Sequence, residues 1–249
     1  MKFNGNTIEA VFFDLDDTLY DQLEPFRNAV GDILPEVARD GQSFPLDAVF
    51  RRVRHYSDRL WDQYTAGGLD LEEMRRQRLI FAFEEFGLRL DGTVADALQA
   101  RYLYGQGRIQ LAPGAAELMA EFIAQGLDVG IITNGPVNHQ MGKILALKLE
   151  QIIPADRIFI SDAVGIAKPD PRIFTHISRT TGHLPERCLY IGDAWLNDVT
   201  ASVEAGWHVA WINRRGTVPD SHHEPGLIVE QLHELLPVLL ARPQADGTS

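Results

Sequence analysis

The stretch IEAVFFDLDDTLYD, residues 8–21, decides how the rest of the chain is read. Residues 8–13 are a short apolar run rich in β-formers, and it stops at the acidic cluster DLDDT. Asp14 and Asp16 stand two apart at the end of that strand, so their side chains can point the same way. Two carboxylates packed together repel unless a cation or a shared proton relieves them. The cluster reads either as such a site or as an acidic turn that caps the following helix.

Outward from this stretch, the same run-then-polar pattern recurs at 127–132 (LDVGII), 157–160 (RIFI), 187–191 (RCLYI) and 207–212 (WHVAWI). Segments with helical spacing lie between them, at 114–125, 136–149, 170–181 and 195–205. Asp170-Pro171 reads as a helix N-cap and first residue, and Gly126, Gly182 and Gly206 read as helix ends. Strands alternating with helices through short links predict an α/β fold: a Rossmann-like, doubly wound parallel sheet with helices on both faces. In such sheets the ligand crevice lies outside the carboxyl ends of the strands, where the polar residues of interest fall.

Residues 20–105 break the alternation. Helical spacing covers 22–38, 45–66, 70–86 and 93–104, with Gly67-Gly68, Gly87 and Gly105 as breaks. The expected organisation is a catalytic core of residues 1–19 and 106–249, with an all-helical cap domain over 20–105 standing above the first strand's end. The tail ARPQADGTS, 241–249, reads as disordered.

The chain has 249 residues, 45% of them hydrophobic, enough for a large core plus an insert. A net charge of −12 disfavours nucleic-acid polymers and anionic membranes as partners. No apolar run approaches the roughly 20 residues of a bilayer span. MKFNGNTIEA lacks the layout of a secretion signal, and a single cysteine excludes an internal disulfide. A cytoplasmic protein is expected, with Cys188 a small core residue in RCLYIGD.

The later strand ends carry their own polar groups. IITNGP offers Thr133, Asn134 and the N–H groups around Gly135, a combination that suits an anion or makes an ordinary Asn-Gly turn. In GIAKPDP, Pro169 holds Lys168 extended, so the lysine is either aimed or simply solvated. In IGDAWLND, Gly192 permits close approach, Asp193 stands at the strand end, and Asp198 follows at a helix start. In that chain order, D-x-D-D-T, T-N-G, K-P and G-D-x-x-x-x-D resemble the four motifs of the haloacid dehalogenase-like hydrolases, over about the whole of residues 8–215. The helical insert resembles the cap that some members carry between the first two motifs.

The resemblance implies that Asp14 attacks phosphorus and forms an aspartyl-phosphate. It implies that Asp16 protonates the leaving oxygen and then serves as base for water. Thr133 and Lys168 would bind the transferring phosphoryl oxygens, helped by Asn134 and the backbone N–H groups of Leu15 and Asp16. Mg2+ would be held by Asp14, the backbone carbonyl of Asp16, and Asp193, with Asp198 supporting from behind.

The name-giving dehalogenases of this family lack an acid two residues past the nucleophile and usually have a serine-rich fourth motif without a metal. Asp16 and Gly192-Asp193 therefore imply a phosphatase acting on a small phosphorylated metabolite, a nucleoside 5′-monophosphate or a sugar phosphate. FFDLDDTLYD with ITNG is similar to the pyrimidine 5′-nucleotidase-like subgroup. The alternatives are a 2-haloacid dehalogenase, which AGW and WINRRG at 205–216 resemble, a phosphosugar mutase, and a non-enzymatic binding protein. Arg214 and Arg215 read as a solvated turn. In the insert, Arg75, Arg76 and Arg78 read as a solvated face and Trp61 as core, with one arginine or aromatic, Tyr64 among them, kept as a substrate contact. His222-His223 in SHHEPG read as loop residues, since adjacent histidines are poorly spaced for a metal. Monomer and homodimer both stay open.

Overall fold

A computed structural model describes residues 1–39 and 44–239, less the side chains of Ala38, Arg39 and Asp62; the tail at 241–249 lies outside the described residues. The chain divides into two compact units, one of Met1–Asp21 with Gln110–Ser249 and one of Gln22–Ile109.

The chain opens with an antiparallel hairpin, β1 (Lys2–Phe3) and β2 (Asn6–Thr7), turned at Asn4-Gly5. Both turn residues have positive φ, 48° and 83°, which Asn and Gly tolerate. The apolar pattern does not announce this hairpin, although the Asn-Gly pair does. β3 (Ala10–Phe13) follows, with all four residues buried.

The second unit is helical: α1 (Leu23–Ile33), α2 (Pro35–Arg39), α3 (Leu46–Thr65), α4 (Leu71–Glu84) and α5 (Gly92–Gln106). The single helix expected over 22–38 is divided at Leu34, because Pro35 drives its predecessor out of helical backbone and has no N–H. Asp70 and Asp91 start α4 and α5 by accepting the N–H of Glu73 and Val94, each at 2.8 Å, caps worth about 1 kcal/mol apiece. Gly105 does not break α5. A Cβ there would lie 3.0 Å from Pro25 Cβ, so the glycine lets α5 approach α1. The core of this unit gathers around Phe26, whose ring centroid lies 5.2 Å from Phe50, 6.2 Å from Phe83 and 5.8 Å from Tyr102. Trp61, expected in that core, is only half-buried and packs beside Tyr64 at 5.2 Å.

The first unit resumes with α6 (Ala115–Ala124), β4 (Asp128–Thr133), α7 (Val137–Ala146), β5 (Ile158–Ile160), α8 (Ser161–Val164), α9 (Arg172–Thr181) and β6 (Cys188–Gly192). A π-helical turn at Trp195–Thr200 then runs into α10 (Ala201–Glu204), β7 (His208–Ile212), β8 (Leu227–Val229) and α11 (Leu235–Leu239). Strands β3–β8 form one parallel sheet in the order β5-β4-β3-β6-β7-β8, the Rossmann-like α/β core with a helical insert. β8 is a sixth strand, beyond the five apolar runs.

Because the chain winds outward from β3 first to β4 and β5, then to β6, β7 and β8, the strand order switches beside β3. Ligands bind outside the carboxyl ends at such a point. Gly130 is needed here, since a Cβ would lie 2.3 Å from Phe12 Cε1 and 2.6 Å from the Arg157 carbonyl. On one face Phe12, Phe174, Tyr190 and Trp207 pack as an aromatic cluster, each such side chain contributing about 1.5–3 kcal/mol by burial. Cys188 is buried among them, and burial pushes its thiol up to about 12, which makes it inert core. Among the described residues no helix is long and apolar enough to cross a membrane.

Candidate active site

Asp14 is the first residue past β3. Its backbone N–H donates to the Ile191 carbonyl at 2.9 Å, which extends the sheet ladder to the site. Lys168 Nζ lies 2.7 Å from Asp14 Oδ1, 2.6 Å from Asp198 Oδ1 and 2.7 Å from the Tyr190 hydroxyl. Tyr190 in turn donates to the Ile132 carbonyl at 2.8 Å. Groups from the end of β3, from β6 and from the turn at Trp195–Thr200 thus meet at one ammonium whose side chain is 3% exposed.

Lys168 belongs to a loop, and Asn134 holds that loop. The Asn134 amide donates to the Lys168 carbonyl at 2.7 Å and accepts from its N–H at 3.0 Å. Both ends of the Asn134 amide thus serve to place the lysine. Leu15, whose N–H was expected to help, has a fully buried side chain, and its carbonyl accepts the Leu19 N–H at 3.0 Å.

Asp198 arrives from the π-helical turn, fully buried, with Oδ2 accepting the Ala194 N–H at 2.8 Å. The close approach at Gly192 is to this side chain: a Cβ there would stand 2.5 Å from Asp198 Oδ2 and 2.7 Å from Asp198 Cβ. Asp193 lies at the end of β6, its carbonyl accepting the Trp211 indole at 2.8 Å. One carboxylate oxygen each from Asp14, Asp193 and Asp198 lies within 4.8 Å of the others. Asp198, expected to support from behind, stands in this cluster with the other two.

Burial raises the Asp14 carboxyl well above the carboxylate range. Lys168 opposes that shift, while the charges of Asp198, Asp193 and Asp16 add to it. Burial works against the Lys168 charge as well, but Asp14 and Asp198 carry it above the ordinary lysine value, so it stays an ammonium. Three carboxyl groups share one ammonium, and their crowding favours a further cation. An oxygen-only donor set of this kind suits a hard divalent cation, so these residues fit the Mg2+ the family resemblance implies.

Asp16 points into a second network, which the sequence reading missed. Lys143 Nζ lies 2.6 and 2.8 Å from its two carboxylate oxygens, the Tyr20 hydroxyl donates to Oδ1 at 2.5 Å, and Gln140 Nε2 donates to Oδ2 at 3.0 Å. Gln140 also donates to Thr133 Oγ1 at 2.5 Å and accepts from Lys143 at 2.8 Å. Burial alone would raise Asp16, but Lys143, Tyr20 and Gln140 outweigh it and hold the carboxyl below the usual range. It is a carboxylate at neutral pH. A signal existed: Gln140 and Lys143 fall on the buried face of α7 beside Ile144, where apolar residues belong.

Arg214 and Arg215 are not a solvated turn. The Arg215 side chain is 14% exposed, and its guanidinium grips Asp17 at 2.7 and 3.1 Å and Asp21 at 2.8 Å, while Arg214 lies 3.6 Å from Asp21. Asp17 is buried with φ of 64°, a left-handed conformation that costs a non-glycine residue about 1–2 kcal/mol. The planar fork of Arg215 offsets that cost by holding the Asp17 carboxylate. In the second unit, Arg76 pairs with Asp96 and Glu73, and Arg78 donates to Ser57 and Gln99, so neither is simply solvated. Arg75 lines a cavity of about 300 Å³ with Glu72, Arg76, Asp96 and Gln99. His223 accepts or donates to Ser221 at 2.9 Å, and neither loop histidine joins a metal-capable group among the described residues.

A profile of haloacid dehalogenase-like hydrolases matches residues 8–206, and the chain belongs to that family. A phosphoserine phosphatase from Thermus thermophilus is 28% identical over 247 residues, 92% of this chain and 98% of its own. An (S)-2-haloacid dehalogenase from Pseudomonas fluorescens is 28% identical over 233 residues, 92% of this chain and 95% of its own. The crystal structure of a dehalogenase with an intermediate complex matches at a TM-score of 0.75 and 21% identity, covering 94% of this chain and 97% of that one, a likeness of fold. The chain is a hydrolase of a family whose similar members include phosphatases and dehalogenases.

Proposed function

We propose that this hydrolase is a Mg2+-dependent phosphomonoesterase, acting on a small phosphorylated metabolite through an aspartyl-phosphate at Asp14. The observation that carries the reading is the excess of carboxyl groups over ammonium where Asp14 and Asp198 converge on Lys168 with Asp193 beside them. A 2-haloacid is itself an anion, and displacement of its halide by Asp14 calls for no divalent cation. A phosphate ester is accommodated there once a divalent cation neutralises the cluster. Asp14, the backbone carbonyl of Asp16, and Asp193 would hold that ion, which supplies charge neutralisation at the phosphoryl group.

In the first half-reaction a carboxylate oxygen of Asp14 bonds to phosphorus, the ester P–O bond breaks, and the leaving oxygen takes a proton from Asp16. In the second, a water oxygen bonds to phosphorus, the water's proton passes to Asp16, and the bond to Asp14 breaks to release phosphate. Asp16 as an anion suits the second half directly. The first half calls for the protonated carboxyl, so Asp16 must take up a proton before the leaving oxygen departs. Lys168 and Thr133 bind phosphoryl oxygens, where donors contribute most as charge spreads in the transition state.

The phosphoserine phosphatase relative supports this reading. The dehalogenase relative motivates a second, in which Asp14 attacks a carbon that bears halogen. The test is phosphate release from nucleoside 5′-monophosphates, sugar phosphates and phosphoserine, with Mg2+ and with EDTA, beside chloride release from 2-chloropropionate. Mg2+-dependent phosphate release supports the phosphomonoesterase. Chloride release without phosphate release from any ester overturns it in favour of the dehalogenase.

A further inference from the structure

Lys143 and Gln140 stand three residues apart on α7, on its buried face, with the Lys143 side chain 4% exposed. Desolvating an ammonium is costly, and ordering a long lysine side chain adds an entropic cost. An apolar residue on this face would avoid both costs. What the lysine gains is specific: both oxygens of one carboxylate, Asp16, at 2.6 and 2.8 Å. Gln140 fixes the lysine by accepting from it, and ties the same group to Thr133 through its Nε2. Tyr20 closes the third side of the carboxylate. Because α7 starts four residues after Thr133, a short loop joins the helix that carries Lys143 to the strand end that presents the Thr133 hydroxyl.

We propose that Lys143, held by Gln140, is a positioning residue that fixes the orientation of the Asp16 carboxylate for proton transfer from water in the second half-reaction. This inference rests on the phosphomonoesterase reading. Loss of Lys143 leaves Asp14, Lys168 and Asp198 in place, so attack on an ester with a good leaving group proceeds while hydrolysis of the aspartyl-phosphate slows.

The experiment is rapid mixing of p-nitrophenyl phosphate and Mg2+ with the wild-type chain, Lys143→Met and Lys143→Arg. Lys143→Met is expected to give a burst of about one equivalent of p-nitrophenol, then a steady state slowed roughly 10–100-fold, the scale of a misplaced catalytic group. Lys143→Arg should recover much of the steady-state rate. A merely structural lysine would lower burst amplitude and steady state together, and that result, or a fully active Lys143→Met, overturns the role. If Lys143→Met does not fold, Gln140→Leu, which removes the group that orients the lysine, carries the same test. A wild-type chain that releases no p-nitrophenol overturns the phosphomonoesterase reading itself, a failure visible before any variant is mixed.

Discussion

Replacing Gly192 by alanine tests how tightly the site is built. The new methyl group would lie 2.5 Å from Asp198 Oδ2, 2.6 Å from its Cγ and 2.7 Å from its Cβ, against an ordinary contact of about 3.5 Å. Rotating the carboxylate away does not relieve the clash, because Asp198 Cβ is also too near. Asp198 is fully buried, so its helical turn must shift. Overpacking of this kind costs about 1–3 kcal/mol. Losing either the Lys168 or the Ala194 hydrogen bond to a charged group adds about 1.5–3 kcal/mol. The expected penalty is about 3–5 kcal/mol, which for a chain of this size lowers the melting temperature by roughly 10 °C. Calorimetry of Gly192→Ala beside wild type measures it. Phosphate release should fall roughly 100-fold if Lys168 is displaced by about 1 Å. A variant that melts within about 2 °C of wild type and keeps its turnover would refute the reasoning, since the overpacking alone is worth more than that.

Asp14→Asn should fold, because the change removes a carboxylate from a crowded acidic cluster, yet turnover should drop by at least about 10³-fold for loss of the nucleophile. Partial activity, with phosphate still trapped on the variant, would rule out Asp14 as the nucleophile. Arg215→Ala takes the fork away from buried Asp17 and should destabilise by about 2–3 kcal/mol in denaturant titration, with Arg215→Lys recovering only part; a neutral Arg215→Ala would contradict the clamp. Asp16 has a folded pKa below its unfolded value, so its stabilisation is full above about pH 4 and is lost as pH falls through the folded value. The stability gap between wild type and Lys143→Met should therefore be wide at pH 7 and close in strong acid. A gap that does not change with pH would show that Lys143 acts by packing rather than by charge.

The sheet was legible because each strand is an apolar run that ends at polar residues, and the runs at 8–13, 127–132, 157–160, 187–191 and 207–212 became five of the six members of the observed order. β8 escaped because Leu227–Val229 is three residues long and follows a polar loop. The strand-end placement of Asp14, Thr133 and Asp193 was legible for the same reason, since a strand's last residue must project from the sheet edge. Lys168 and Asp198 were legible through spacing alone, and spacing said nothing of their partners. Lys143, Gln140, Tyr20 and Arg215 were missed because their roles come from contacts across 4 to 198 residues of chain. No local pattern encodes an ion pair between residues 17 and 215. Lys143 was the exception, since a lysine at an inward position of an amphipathic helix contradicts the helix's own periodicity.

The Asn134–Lys168 contact reaches further than holding a loop. Carboxamide and peptide group carry the same donor and acceptor, so Asn134 supplies a side-chain rung that continues the hydrogen-bonded ladder past the last strand residue. Lys168 is thereby registered to the sheet as a strand residue would be, although its own segment has no strand partner at that point. Aspartate at 134 would keep the acceptor and lose the donor, and leucine of similar size would lose both. The accuracy with which the ammonium meets Asp14 therefore depends on a neutral amide that never touches it.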